Sequence, residues 1–260
     1  MDRKFLGAAA IVLACGCGAV IFLAAGDAGD IPALAEYGMS EATVPGPRHV
    51  DRAPRIAVVG HNQHTELTDF VIPYALLKRA EVAEVWAVGT EPGPMRFFPA
   101  LKAQPDLDIA AFDDRFPDGA DYVVVPAVHE DNDPRLLAWV RSQWEKGAVV
   151  VGVCDGAWVL AHAGLLDGRA ATTHWYSRER LFETHPAVRR VDAARYVVDG
   201  RVVTTTGVSA SVPVTLALIE AIAGRQRALA MARALGLAAG TPLPPPRPSA
   251  LRPGISAPPP

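Results

Sequence analysis

Short continuous aliphatic runs alternate along the middle of the chain with stretches whose apolar side chains recur every three to four positions. The runs RIAVVG (55–60), EVWAVG (84–89), ADYVVVPA (120–127) and AVVVGV (148–153) read as strands. Between them, LTDFVIPYALLKRA (67–80) places Phe70, Tyr74 and Leu77 on one helical face, with Pro73 early enough to be tolerated. DPRLLAWVRSQWEKG (133–147) has an Asp cap, Pro at the first helical position and Gly at the end. AWVLAHAGLL (157–166) and RERLFETHP (178–186) read as further helices, and AATTHW (170–175) as a short strand. RYVVDGRVVTTTG (195–207) reads as a hairpin turning at Asp199-Gly200, followed by helix over 212–224 that continues or is followed by another over 225–236. Strands without polar alternation, separated by helices, imply a mainly parallel sheet covered on both faces. The fold expected is an α/β three-layer sandwich over residues 54–236.

The two ends break this pattern. Asp2, Arg3 and Lys4 precede an uncharged, mostly apolar run from Phe5 to Gly26, long enough to cross a bilayer as a helix. Residues 1–26 therefore read as a transmembrane anchor or signal segment. Arg3 and Lys4 put the remainder outside the cytoplasm, either membrane-tethered or exported after cleavage. Val12-Leu13-Ala14-Cys15 is loosely like a lipobox, but the apolar run continues past it. Residues 27–53, rich in Gly, Ala, Pro and Asp, read as a linker, and 237–260 as a proline-rich disordered tail.

Half of the 260 residues are hydrophobic, 20 % are charged, and the formal net charge is −3. The scattered Lys and Arg argue against a nucleic-acid partner. Cys15 and Cys17 lie in the apolar N-terminal run, so Cys154 has no disulfide partner within the folded middle. A lone thiol there is either a buried apolar residue or a reactive group.

Cys154 follows the aliphatic run 148–153 and precedes Asp155, Gly156 and a helical pattern. In open α/β sheets ligands bind beyond the carboxyl ends of the strands. A cysteine on that turn meets the N-terminal end of the next helix, which favours thiolate, and nearby backbone N–H groups. Gly156 would allow close approach of backbone or substrate. His61 and His64, with Glu66, lack a third firm ligand, so no metal is assigned to them. The loop HEDND (129–133) reads as an acidic cap of the next helix. Trp86, Trp139, Trp144, Trp158 and Trp175 are spaced as core or pocket-lining residues. No phosphate loop or dinucleotide fingerprint is present, and no cofactor is expected.

The stretch VCDGAWVLAHAGLLDGRAATTHW resembles the cysteine turn of the ThiJ/PfpI superfamily, which has the class I glutamine amidotransferase-like (flavodoxin-like) fold. The resemblance is greatest to the isonitrile-hydratase-like branch and the sensor halves of AraC-type regulators. It extends from the first strand and ELTDFVIPYALL, through DPRLLAWVRSQWEKG, to GRVVTTTGVSASVPVTLALIEAI, covering roughly residues 54 to 224. It implies Cys154 as nucleophile, Asp69 as the carboxylate at the start of the first helix that holds the thiol or activates water, and His174 as a histidine near the cysteine. Ala127 and Val128 would offer oxyanion-binding N–H groups, and Asp155 and Gly156 would complete the binding turn. A homodimer is implied as well.

Two departures from the family pattern stand out. Asp155 replaces a residue that is usually Thr, and a carboxylate beside a thiol opposes its ionisation. The paired glycines common after the preceding strand are absent from VVPAVHEDND. The reading is a cysteine-dependent hydratase or hydrolase acting on a small electrophilic molecule. The alternative is a non-catalytic ligand-sensing or scaffold domain. Too few residues follow Gly224 for a pair of helix-turn-helix units.

Overall fold

A computed structural model describes residues 43–192 and 194–237. The segments read as anchor or signal (1–26) and as proline-rich tail beyond Leu237 lie outside the described residues. Among the described residues no helix is long and apolar enough to cross a membrane.

The elements follow one another as β1 (Arg55–Gly60), β2 (Thr65–Glu66), α1 (Leu67–Ala80), β3 (Glu84–Gly89), β4 (Met95–Phe98), β5 (Leu101–Ala103), β6 (Leu107–Asp108) and α2 (Ile109–Arg115). Then come β7 (Tyr122–Val125), α3 (Pro134–Glu145), β8 (Val149–Gly152), α4 (Gly156–His162), β9 (Ala170–Ala171), α5 (Arg178–Thr184) and β10 (Arg189–Arg190). The hairpin β11 (Tyr196–Asp199) and β12 (Val202–Thr205) leads through a short 3-10 turn to α6 (Ser211–Ala223) and α7 (Arg225–Ala234). The main sheet has the order β11-β12-β8-β7-β1-β3-β6. Every neighbouring pair in it is parallel except β11 with β12.

The aliphatic strands split their side chains between two apolar layers, as a pleat requires. Ile56 and Val58 of β1 join the layer built with Phe70 and Leu77 of α1 and Val214 and Leu218 of α6. Ala57 and Val59 join the layer with Phe112 of α2, Leu136 and Val140 of α3, and Leu160 of α4. The three-layer α/β sandwich expected from the pattern is the fold observed.

Asp133 caps α3 through the N–H groups of Arg135 and Leu136, with Pro134 in its first turn. Helix α4 ends at His162, earlier than its apolar pattern, because Gly164 takes a left-handed conformation (φ +72°) and the chain turns back on itself. The apolar pattern gives no strand or helix between 90 and 119. There, β4 and β5 join β2, from before α1, in a separate three-stranded sheet, and Asp108 caps α2 by accepting from the Ala111 N–H. Of AATTHW only Ala170–Ala171 is strand. Thr172 and Thr173 are drawn instead toward Thr204 and the Cys154 turn.

Residues 43–53, inside the stretch read as linker, lie against the domain. Val44 is buried, the Tyr122 hydroxyl donates to the Pro45 carbonyl at 2.8 Å, and Arg52 pairs with buried Asp121 at 2.8 Å. The Gly- and Pro-rich composition conceals these contacts, because a single apolar side chain and two arginines carry them.

Candidate functional site around Cys154

Strands β1, β7 and β8 are adjacent, and their carboxyl ends deliver three loops to one edge of the sheet. The loop after β8 is a single tight turn. Cys154 sits in it at φ +58°, the left-handed region that a non-glycine residue enters only at a cost of about 1–2 kcal/mol. Three hydrogen bonds hold the turn. The Cys154 N–H donates to Thr205 Oγ1 (2.9 Å), Thr173 Oγ1 donates to the Cys154 carbonyl (3.1 Å), and the Gly156 N–H donates to the Val153 carbonyl (2.8 Å).

Gly156 is required by packing. A Cβ there would stand 2.0 Å from the Val125 carbonyl oxygen. Gly156→Ala is therefore expected to lower stability by about 2–3 kcal/mol or more, read by urea denaturation. A loss under about 0.5 kcal/mol would mean that β7 and the turn are not so closely apposed.

Asp69 reaches the thiol from α1 and is wholly buried. Glu66 caps that helix, its carboxylate accepting the Asp69 N–H (2.6 Å) and the Thr68 hydroxyl (2.8 Å). The Cys154 thiol and the Ala127 N–H face the Asp69 carboxyl and favour its ionised form, but neither oxygen attains hydrogen-bond geometry. Burial dominates, and Glu66 and then Asp155 add repulsion, so Asp69 is pushed up to about 8. At neutral pH it is a carboxylic acid. Burial pushes the Cys154 thiol up as well, followed by the charges of Asp69 and Asp155. The neutral form of Asp69 removes one of those two charges and supplies an O–H that can stabilise a thiolate.

Asp155 is the other charge. Its carboxylate accepts hydrogen bonds from the hydroxyls of Thr173 (3.0 Å) and Ser177. It makes no cap to α4. Replacing it by Asn removes a charge that opposes thiolate. At about pH 7, Asp155→Asn is expected to accelerate alkylation of Cys154 by iodoacetamide about tenfold, the effect of one pKa unit. An unchanged or slower rate would show that Asp155 does not oppose the thiolate.

His174 is half-buried, its ring against Trp175 at 5.2 Å between centroids. Gly207 makes room for it, since a Cβ there would lie 2.8 Å from the ring. Its ring nitrogen, the Cys154 sulfur and an Asp155 oxygen all lie within 4.8 Å of one another. Ala127 and Val128 both line the pocket beside the cysteine. The Ala127 N–H is directed at Asp69, whereas the Val128 N–H has no acceptor among the described residues. Cys154, Asp69, His174, Asp155, Gly156, Ala127 and Val128 are thus brought to one place.

His61 and His64 are not a pair. The His61 ring meets Gln63 and stands 3.8 Å from Asp133, while His64 stacks on His129.

The pocket over Cys154 has a volume of about 750 Å³. Its far wall holds Trp158, His162, Asp131 and Arg180, which the sequence reading did not single out as a group. Trp158 and His162 are one helical turn apart immediately after the elbow, a spacing that puts both on one face of α4. His162 lies 3.5 Å from Asp131, and the Arg180 guanidinium lies over Trp158. The rim carries exposed Phe98, Tyr176 and Val208.

Comparison with known proteins agrees with this fold. The "HTH-type transcriptional regulator CdhR" of Pseudomonas aeruginosa is 38 % identical over 96 residues, 37 % of this chain and 28 % of that protein. The isonitrile hydratase of Pseudomonas putida is 38 % identical over 92 residues, 35 % of this chain and 39 % of that protein. The matches thus span well under half the length of these relatives. Among solved structures, DJ-1beta of Drosophila melanogaster superposes with a TM-score of 0.65 at 22 % identity, over 72 % of this chain and 100 % of that one. A DJ-1 superfamily protein of Salmonella typhimurium gives 0.62 at 20 %, over 70 % and 98 %. The family model described as DJ-1/PfpI family matches residues 54–221, from β1 into α6, and the chain belongs to that family.

Proposed function

We propose that the chain is a cysteine-dependent hydratase or hydrolase acting on a small electrophilic molecule. The observation that carries this reading is a strained, pocket-facing Cys154 beside a buried carboxylic acid with no hydrogen-bond partner of its own. For a substrate with a polarised multiple bond, the sulfur adds to the electrophilic carbon. The proton it gives up passes through Asp69 to the substrate, and the Val128 N–H stabilises developing negative charge. Water then attacks the same carbon and breaks the C–S bond. The thiol regains a proton, and the net change is addition of one water. The protein would act as a homodimer. It would lie outside the cytoplasm, tethered by residues 1–26 or exported after their removal.

The test is turnover of a panel of small isonitriles, followed by formamide production, with Cys154→Ala alongside. Turnover lost in the variant supports the reading. No turnover, with the same compounds bound equally by both proteins, favours the second reading: a ligand-sensing domain of the same fold. Burial of the thiol and the match to a transcriptional regulator are what support that alternative.

A further inference from the structure

Asp155 is costly beside a nucleophile, yet the structure holds it firmly. Two hydroxyls, from Thr173 and Ser177, orient its carboxylate next to Cys154, and no N–H group of α4 uses it as a cap. His174 closes the third side, and its imidazole has no hydrogen-bond partner among the described residues. Sulfur, carboxylate oxygen and ring nitrogen lie within 4.8 Å of one another, and all three residues face the pocket. That span is close to twice a zinc–ligand distance of about 2.0–2.3 Å, so small rotations would bring the three donors to one centre. A ligating carboxylate held by neighbouring hydroxyls is the usual support around a bound metal. An independent feature points the same way. The Asp69 carboxyl, fully buried behind the sulfur, has both oxygens without a hydrogen-bond partner. The pocket floor is thus a concentration of anionic and neutral donors, with the Arg180 guanidinium turned to Trp158 on the far wall.

We propose that Cys154, Asp155 and His174 form a binding site for a zinc-class divalent cation, with its remaining coordination position open to the pocket. Binding replaces the thiol proton, which leaves to solvent, by a sulfur–metal bond, so affinity rises with pH. The bound sulfur is unavailable to an alkylating reagent. The inference uses the same residues as the function proposed above but not its chemistry.

The experiment is titration of the chelator-treated full chain with Co²⁺, followed by competition with Zn²⁺. The expected result is one equivalent bound, with a near-ultraviolet thiolate-to-cobalt charge-transfer band that Zn²⁺ abolishes. Cys154→Ser should lose the band. Asp155→Asn and His174→Gln should each weaken binding more than tenfold, and Ser177→Ala, which only frees the carboxylate, about tenfold. The thermal transition of each variant reports whether it is folded. Absence of the band in the wild-type chain overturns the proposal. So does a band of undiminished affinity in folded Asp155→Asn and His174→Gln chains, which would mean that the sulfur alone takes the ion. Alkylation of the metal-free chain separates the two readings. A reactive thiol without a cobalt band defeats only the metal site, and an unreactive thiol with the band defeats only the nucleophile.

Discussion

Asp69→Asn is expected to stabilise the folded protein by about 5 kcal/mol at pH 9 and to change its stability little at pH 4. The unfolded chain loses the Asp69 proton near the ordinary value of 3.8, and the folded chain holds it to about 8. Between those values the folded state binds more protons, so the stability this group confers falls as pH rises through the window. It is fully lost above about 8. Asparagine cannot ionise, so it escapes the loss while keeping nearly the same shape. Paired urea denaturation curves of the two chains at several pH values give the difference directly. A difference that does not change with pH would mean that Asp69 is not held protonated. On the function proposed above, the wild-type chain keeps a destabilising group where the chemistry would need a proton, the usual exchange of stability for function.

Arg48→Ala with Arg52→Ala is expected to cost about 3–5 kcal/mol, because it strands a buried carboxylate. The Asp121 side chain is 0 % exposed, accepts the Arg55 N–H at 2.8 Å, and is paired with Arg52 at 2.8 Å and Arg48 at 3.7 Å. The arginines keep 22–23 % exposure and can turn to water when their partner is neutralised. Asp121→Asn should therefore cost distinctly less than the double arginine variant. Equal losses would show that the stranded carboxylate is not the main cost, and a double variant within about 1 kcal/mol of wild type would show that residues 43–53 do not hold the domain in solution.

The sheet and its helices were legible because their signals are local. Continuous aliphatic runs such as AVVVGV can only be buried on both faces, and Asp133-Pro134 at one end and Gly147 at the other mark α3. The small sheet of β2, β4 and β5 was not legible. Its strands are two to four residues long, below the reach of periodicity, and Leu101–Ala103 is exposed throughout. The packing of Val44, Arg48 and Arg52 was hidden for a different reason, since ion pairs across long sequence separations leave no periodic trace.

At the site, the elbow was legible as a turn type, and the family resemblance supplied Asp69 and His174. What could not be read was the purpose of Asp155. Beside the cysteine in sequence it is only an added negative charge. Its partners Thr173 and Ser177 come from the segment after β9, and folding alone makes it one corner of a donor set.

The most direct test of the account is the pH dependence of Cys154 alkylation by iodoacetamide in the metal-free chain, beside Asp69→Asn. If the thiol and the Asp69 carboxyl share protons as a coupled pair, the wild-type rate rises in two steps. The first lies near pH 8 and the second well above it. Asp69→Asn keeps one rise and loses the step near 8. A single identical titration in both chains, or a thiol that stays unreactive throughout, would contradict the claim that Asp69 governs Cys154.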